Sequence, residues 1–571
     1  MGADSTPTDV VTLEDASDIS RILSSIQDDI YSLTVSFGRD ETHFPATLSD
    51  IEFASRSLSL EAVDAQSLDL RTLAGSSLSL RVDRLSEAVT FEGGDIVDAG
   101  RRGDNVNLVC GMPTRMLTQS KRREVRASLI NGMQARATVT VLEGQPPIVT
   151  RLKNLSVGGC LVAFPLRHSA PFRIDMLIPS LELAFPNGDR LSVEARIRHV
   201  TAPGRSNQVL VGFSFENLSP EQQQRVVHFV DETEQEIGYR QRETGRLAWP
   251  SPLYRLDAAR AGRFRERRRG KVKEPPMVPT IREVSRQIHL SLLKLHQRRP
   301  LPTAMLYLSA DKLLKLLKQN RQDFLYSLHC LDDEPGWVQH SVCVAGRLAD
   351  LMMAEQTLAP LSRDAIVGAL LHDLGKAMLL SNTLPSLIGA LSRPQKQQIR
   401  GHVGILAERL DAVGWKGKPA TRLVIEQINE RLDGSGYPRQ LQAESLSPLA
   451  RAAAVVDVID AMTRARGDRK ALTAIEVYRY LYHRPETFDR HWVTRYIQRQ
   501  GFYPIGSLIR FSRGFLGWVM ALTETGQPAR VHVVFNGANG TPLDEIVSRI
   551  DFHLLGKPEG LVRPEAYDLG R

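Results

Sequence analysis

The run Leu371-His372-Asp373-Leu374-Gly375-Lys376 sets an imidazole beside a carboxylate after an apolar stretch, Ile366, Val367, Ala369, Leu370 and Leu371. That stretch reads as a buried helix rather than a surface loop. One nitrogen and two oxygens offered together suit a borderline or hard divalent ion: iron, manganese, cobalt or zinc. Gly375 permits a close backbone approach, and Lys376 is placed to steady a phosphate rather than to ligate the ion. Taken alone, a His-Asp pair at a helix end also reads as a satisfied cap.

Other polar residues on apolar stretches shift that balance. His340 opens a helical run whose apolar face continues through Leu348, Leu351 and Met352, and His402 begins another, with Leu406 and Leu410 on its apolar face. Asp457 lies within Ala453-Ala454-Val455-Val456-Asp457-Val458-Ile459-Asp460. An ionised carboxylate there is costly unless it is paired or bound to a metal. Asp460, almost one turn on, is expected to make a structural hydrogen bond or to support a ligand from behind. Helices can gather His340, His372, Asp373 and Asp457 into a facial set that leaves positions open for water and phosphate.

Residues 325 to 525 resemble an HD-GYP domain, an all-helical family of cyclic di-GMP phosphodiesterases. The resemblance rests on His340-Ser341, Leu371-His372-Asp373-Leu374-Gly375-Lys376, His402, Glu430-Arg431-Leu432-Asp433-Gly434-Ser435-Gly436-Tyr437-Pro438, Val456-Asp457-Val458-Ile459-Asp460-Ala461, and the later stretch Gly501 to Phe511. It implies metal ligands at His340, His372, Asp373, His402 and Asp457, with Asp373 and Lys376 serving catalysis. It also implies that the 433–438 loop recognises substrate or a signalling protein partner.

The family's two adjacent histidines before the Glu-Arg-Leu-Asp-Gly segment are here Ile428 and Asn429, and Gly336 stands where some members have glutamate. The remaining set suffices for one ion and leaves a second with His402 and a shared Asp373. A recognition role with weakened or absent turnover is therefore expected. The enzyme alternative is metal-dependent cleavage of cyclic di-GMP to pGpG or GMP.

A chain of 571 residues accommodates about three or four domains. With 42% hydrophobic and 24% charged residues, it can build substantial cores. It shows no long uncharged apolar stretch, so no transmembrane segment is expected. The start, Met1-Gly2-Ala3-Asp4-Ser5, does not resemble a secretion signal. Cys110, Cys160, Cys330 and Cys343 lack paired spacing and fit packing roles in a reducing cytoplasm, which the family resemblance implies is bacterial. A net charge of +8 attracts anions without choosing among them.

Residues 12–115 read as a β-rich domain, with a short helix near Ile19 to Ile26. Strands are expected around Leu58-Ser59-Leu60, Leu68-Asp69-Leu70, Leu78 to Val82 and Val106 to Val109. By position this region resembles the N-terminal domain of flagellar brake proteins.

Next, Lys121-Arg122-Arg123-Glu124-Val125-Arg126 precedes Asn154-Leu155-Ser156-Val157-Gly158-Gly159. Strands at 147–151, 160–164, 191–200 and 209–215 surround the second motif and suggest a small barrel, followed by a helix near 220–230. The two motifs resemble PilZ, a cyclic di-GMP receptor family. The resemblance assigns ligand contacts to Arg122, Arg126, Asn154, Ser156 and Gly159, with Asn154 replacing the usual aspartate. Arginine's planar fork suits phosphate and guanine, while Asn and Ser can read base edges. His168 and His199 read as structural or surface groups.

The expected architecture is multidomain: a flagellar-brake-like domain (12–115), a PilZ β-barrel (116–235), a basic and proline-rich linker (236–285), connecting helices (286–327), a divergent HD-GYP domain (328–500) and a β-containing extension (501–571). The linker carries Arg260, Arg263, Arg265 and Arg267 to Arg269 but few aromatics, which argues against nucleic acid as the partner. The apolar stripe of the connecting helices leaves homo-oligomerisation open. The expected role is that of a cyclic di-GMP effector, which the family resemblance links to motility and biofilm formation.

Overall fold

The computed structural model describes residues 10–13, 19, 32–37, 43–52, 56–62, 65, 68–73, 75–83, 87–102, 105–120, 126–130, 132–202, 207–241, 249–255, 274–387, 391–465, 470–537 and 540–569. The chain divides into two compact units. The first comprises residues 1–139, 148–165 and 174–261, and the second 140–147, 166–173 and 262–571.

Alternating apolar residues build two closed sheets in the first unit. In one, the strands Ser32–Phe37, Phe44–Glu52, Ser57–Ala62, Asn105–Gly111, Glu87–Arg102 and Ser77–Asp83 pair in a ring, and Arg115–Ser120 and Val10–Leu13 extend it. Ser57–Ala62 alternates between half-buried and buried positions, so Leu58, Leu60 and Ala62 face the core. The expected strand at Leu68-Asp69-Leu70 is instead a loop leading into a helical turn, Leu70–Leu73, which buries Leu73. Two apolar residues are too few to set a period. Apart from Ile19, which is helical and buried, the helix expected near Ile19 to Ile26 lies outside the described residues.

The second ring joins Arg136–Val139, Leu177–Ala184, Arg190–Thr201, Gln208–Glu216, Gly159–Pro165 and Ile148–Ser156, with Ala127–Ser128 added to the last. The helix Pro220–Gln241 follows and runs beyond the expected linker start at 236. Residues 251–254 also belong to folded structure. Ser251 donates its backbone N–H to Glu236 (2.9 Å) and its hydroxyl to Glu232 (2.6 Å), and the Tyr254 hydroxyl meets Thr233 (2.9 Å). Leu253 and Tyr254 bury apolar area against this helix, a gain that basic and proline-rich composition concealed. The arginines between 260 and 269 lie outside the described residues.

The second unit is helical. Val278–His296, Thr303–Gln319 and Arg321–Ser327 lead into Gly336–Met353, Ser362–Leu371, Leu374–Met378, His402–Ala412, Pro419–Gln427 and Pro448–Thr463 around one apolar core. The connecting helices thus begin before 286. Asp350, fully buried, accepts two hydrogen bonds from Arg321 (2.7 and 2.8 Å) and others from Arg499 and Gln500. Paired in this way, it ties Gly336–Met353 to the helices Arg321–Ser327 and Arg490–Gln500 at small desolvation cost. A five-stranded antiparallel sheet, residues 508–561, completes the unit. Among the described residues no helix is long and apolar enough to cross a membrane.

Candidate metal centre and nucleotide-binding motifs

Five helices and the break between two of them position the polar cluster. His340 lies one turn into Gly336–Met353, so the helix begins earlier than the sequence suggests. His372 caps Ser362–Leu371, and Asp373 occupies the break before Leu374–Met378. His402 opens His402–Ala412, and Asp457 lies in Pro448–Thr463. All five side chains are buried. Gly375 explains how two of these segments meet: a Cβ there would stand 2.1 Å from the His402 carbonyl oxygen.

The histidines are held from behind. His372 Nδ1 lies 2.7 Å from the Ala369 carbonyl, His402 Nδ1 is 2.7 Å from the Ile399 carbonyl, and His340 Nδ1 is 2.7 Å from Asp460 Oδ2. A ring nitrogen facing an acceptor carries the hydrogen, so His372 and His402 in their neutral form turn an Nε2 lone pair inward, whereas His340 meets a carboxylate at each ring nitrogen. His340 Nε2 is 3.0 Å from Asp457 Oδ1 and 3.6 Å from Asp373 Oδ2. His372 Nε2 is 3.3 Å from Asp373 Oδ1 and 3.5 Å from Asp457 Oδ1, while His402 Nε2 is 3.5 Å from Asp373 Oδ1.

His372 Nε2, His402 Nε2 and Asp373 Oδ1 are buried without a hydrogen-bond partner. Lone pairs of nitrogen and carboxylate facing each other across such a space call for a cation. The donor atoms of His340, His372 and Asp457 all lie within 4.8 Å of one another, close enough to hold one metal ion.

The cluster's negative charge acts on its histidines. Burial alone would depress the His340 imidazole, but its bonds to Asp457 and Asp460 and the charge of Asp373 push it up to about 9, so a metal taken up at Nε2 displaces a proton. Burial and the Lys376 ammonium hold His402 down at about 4, so it is neutral and ready to donate a lone pair. Asp373 and Asp457 resist the upward pull of burial. Lys376 and the histidines hold the former, and His340 and His372 the latter, below the usual carboxylate range. Lys376 Nζ sits 2.7 Å from Asp373 Oδ2.

The position of the two missing histidines is filled differently. Ile428 is fully buried in the apolar core, and Asn429 is buried with its amide nitrogen unpartnered. The following loop closes on Glu430, which accepts from the backbone N–H groups of Arg439 (2.7 Å) and Leu441 (3.0 Å). Tyr437 in that loop packs edge-on against His402, with ring centroids 5.9 Å apart. Sequence reasoning missed Arg347 and Arg464, which grip Asp460 at 3.3 and 2.6 Å. Their spacing was the available signal: Arg347 lies two turns after His340, and Arg464 one turn after Asp460.

On the second barrel, Asn154 and Ser156 end the strand Ile148–Ser156, and Gly159 begins its partner. The Asn154 side-chain oxygen is buried and unpartnered. The Ser156 hydroxyl donates to the Gly159 carbonyl at 3.1 Å, which leaves its oxygen to act as an acceptor. At Gly159, a Cβ would stand 2.0 Å from the Phe213 carbonyl oxygen. Strand pairing therefore already demands glycine there, independently of any ligand. Arg126 is half-exposed just before Ala127–Ser128, and Arg122 lies outside the described residues. Of the remaining histidines, His168 accepts from Arg167 at 3.1 Å, and His199 packs over Gly212.

Residues 120–232 match the family model of the PilZ domain, and residues 326–491 match that of the HD domain. The cyclic di-GMP phosphodiesterase PA4108 of Pseudomonas aeruginosa is 32% identical over 229 residues, 39% of this chain and 53% of that protein. The cyclic di-GMP phosphodiesterase response regulator RpfG of Xanthomonas campestris is 33% identical over 148 residues, 26% of this chain and 38% of that protein. The chain thus spans about half the length of the first relative and less of the second. Among solved structures, Escherichia coli YcgR in complex with c-di-GMP covers 41% of this chain and 96% of its own, at 15% identity and a TM-score of 0.24. The chain carries a PilZ domain followed by an HD domain.

Proposed function

We propose that this protein is a cyclic di-GMP signalling effector in which the PilZ domain binds the dinucleotide and the HD domain holds one divalent metal ion, with turnover weakened or lost. The observation that carries it is the set of inward-facing, partnerless atoms at His372, His402 and Asp373, beside a position where Ile428 offers no ligand at all. His340, His372, Asp373 and Asp457 would hold the ion, and His402 faces the shared carboxylate. A bound ion there supplies Lewis acidity toward a phosphate oxygen and its water. Around it, Asp460 keeps the His340 ring oriented, Lys376 adds positive charge beside Asp373, and the buried walls limit water.

Cyclic di-GMP is favoured as the ligand because both curated relatives described above are named cyclic di-GMP phosphodiesterases and because Arg126 directly precedes Ala127–Ser128, the strand that pairs with Asn154 and Leu155 beside Ser156 and Gly159. The Asn154 oxygen, buried and unpartnered, is available to a base edge. Recognition of a signalling protein through the 433–438 loop, and self-association, belong to the same proposal.

The retained ligand set favours a second reading, a one-metal phosphodiesterase that forms pGpG or GMP. One experiment separates the two: bound metal and cyclic di-GMP products are quantified for the anaerobically purified full chain and its Asp373→Ala variant. Tight binding without product supports the effector. Metal-dependent product formation that is lost in the variant establishes the enzyme.

A further inference from the structure

Arg400 ends the helix Arg393–Arg400 and is exposed, with its guanidinium carbon 5.6 Å from the centroid of the Tyr437 ring. Arginine stacks on aromatic faces in this way while leaving its N–H edge free. Among the described residues, no carboxylate or carbonyl accepts from it. Two residues on, His402 turns inward toward Asp373, and Tyr437 packs against the His402 ring. The order outward from the cluster is therefore Asp373 with Lys376, then Tyr437, then an unpaired guanidinium at the rim.

A cyclic dinucleotide carries two phosphodiesters in one ring, so a site that takes one at the metal ligands must accommodate the other nearby. Lys376 lies beside Asp373, at the first position. A second cation presented on an aromatic platform, with no anion among the described residues to neutralise it, suits the second.

We infer that Arg400 binds the second, non-reacting phosphodiester of a cyclic dinucleotide held at the His340–His372–Asp457 cluster, with Tyr437 as its platform. This rests on the second reading above, in which the cluster itself receives such a ligand. Arg400 reads phosphate, not guanine, and it confers preference for the cyclic two-phosphate ligand over a linear one-phosphate ligand.

The test uses the full chain with Arg122→Ala and Arg126→Ala, which silence the PilZ site, in the presence of Mn²⁺. Affinity is measured for hydrolysis-resistant phosphorothioate analogues of cyclic di-GMP and of GpG, which has the same two guanines and one phosphodiester. Arg400→Gln is expected to weaken the cyclic ligand about tenfold, the loss of one charge-assisted hydrogen bond, and to leave GpG unchanged. Arg400→Lys should fall between, since it keeps the charge and loses the fork. Because Arg400 is exposed at a helix end, bound manganese and melting temperature should not change. Equal weakening of both ligands would show a base contact and overturn the assignment, as would an unchanged cyclic affinity. If the parent itself binds neither ligand, the reading of the cluster as a dinucleotide site fails first, and this inference falls with it.

Discussion

His340 Nδ1 is 2.7 Å from Asp460 Oδ2, and the opposite ring nitrogen faces Asp457 at 3.0 Å. Asp460 therefore holds the Nδ1 hydrogen and the ring orientation when a metal displaces the Nε2 hydrogen that faces Asp457. Asp460→Asn should lower metal affinity about 10- to 100-fold. Metal titration of the purified variant, with circular dichroism to confirm folding, checks this. Asp460→Ala should do more, because it leaves the buried Arg347 unpaired, at a cost of about 3 kcal/mol or more in stability.

Restoring the two histidines should change the metal count. Ile428→His/Asn429→His is expected to raise bound metal from one ion toward two per chain, read by elemental analysis. The fully buried Ile428 makes the change costly, since an imidazole in an apolar core overpacks it and needs a partner. A stability loss of roughly 1–3 kcal/mol in the metal-free protein is expected. A metal count that stays at one in the folded double variant would show that more than these two ligands is missing.

His296 supplies a pH dependence away from the metal cluster. Burial and the charges of Arg173 and Arg409 hold its pKa well below the ordinary value, against the opposing hydrogen bond to the Ala170 carbonyl at 3.2 Å. The folded state keeps this ring neutral, whereas the unfolded chain takes up its proton near pH 6.5. Its contribution is therefore intact above about pH 6.5 and is lost as pH falls toward the depressed folded value. Denaturant melts between pH 7.5 and 5 should show a shallower decline for His296→Gln than for the unaltered chain.

In the PilZ domain, Arg122→Ala/Arg126→Ala should abolish measurable cyclic di-GMP binding, since each removes a charge-assisted contact worth about 1.5–3 kcal/mol. Gly159→Ala should act otherwise. With the Phe213 carbonyl only 2.0 Å from the added carbon, strand pairing must shift, and the loss should appear first in thermal stability. Calorimetry with and without ligand distinguishes the two: the arginine variant keeps its melting temperature and loses the ligand-induced rise, while the glycine variant melts earlier in both states.

The helical unit was legible because its motifs are local. His372 and Asp373 are adjacent, Gly375 sits two residues on, and the apolar run before them is long enough to read as a buried helix. The barrel strands were legible from period-2 alternation. Leu68-Asp69-Leu70 was misread because two apolar residues fit a strand and a helical turn equally well. The folded part of the expected linker, where Ser251 pairs with Glu232 and Glu236, was hidden because its stabilising partners precede it in the chain and are acidic.

Local motifs, through the family resemblance they carry, indicated the order of modules, the candidate ligands and the absence of two histidines at Ile428 and Asn429. Each of those is written in neighbouring residues. Tertiary structure alone decided that Asp460 orients His340 from 120 positions away, that the Ser156 hydroxyl donates to Gly159 across its turn, and that Arg400 stands over Tyr437. The physical reason is that hydrogen-bond direction and burial depend on which helices pack together. That packing is set by the shared apolar core, whose contacts join residues far apart in the sequence.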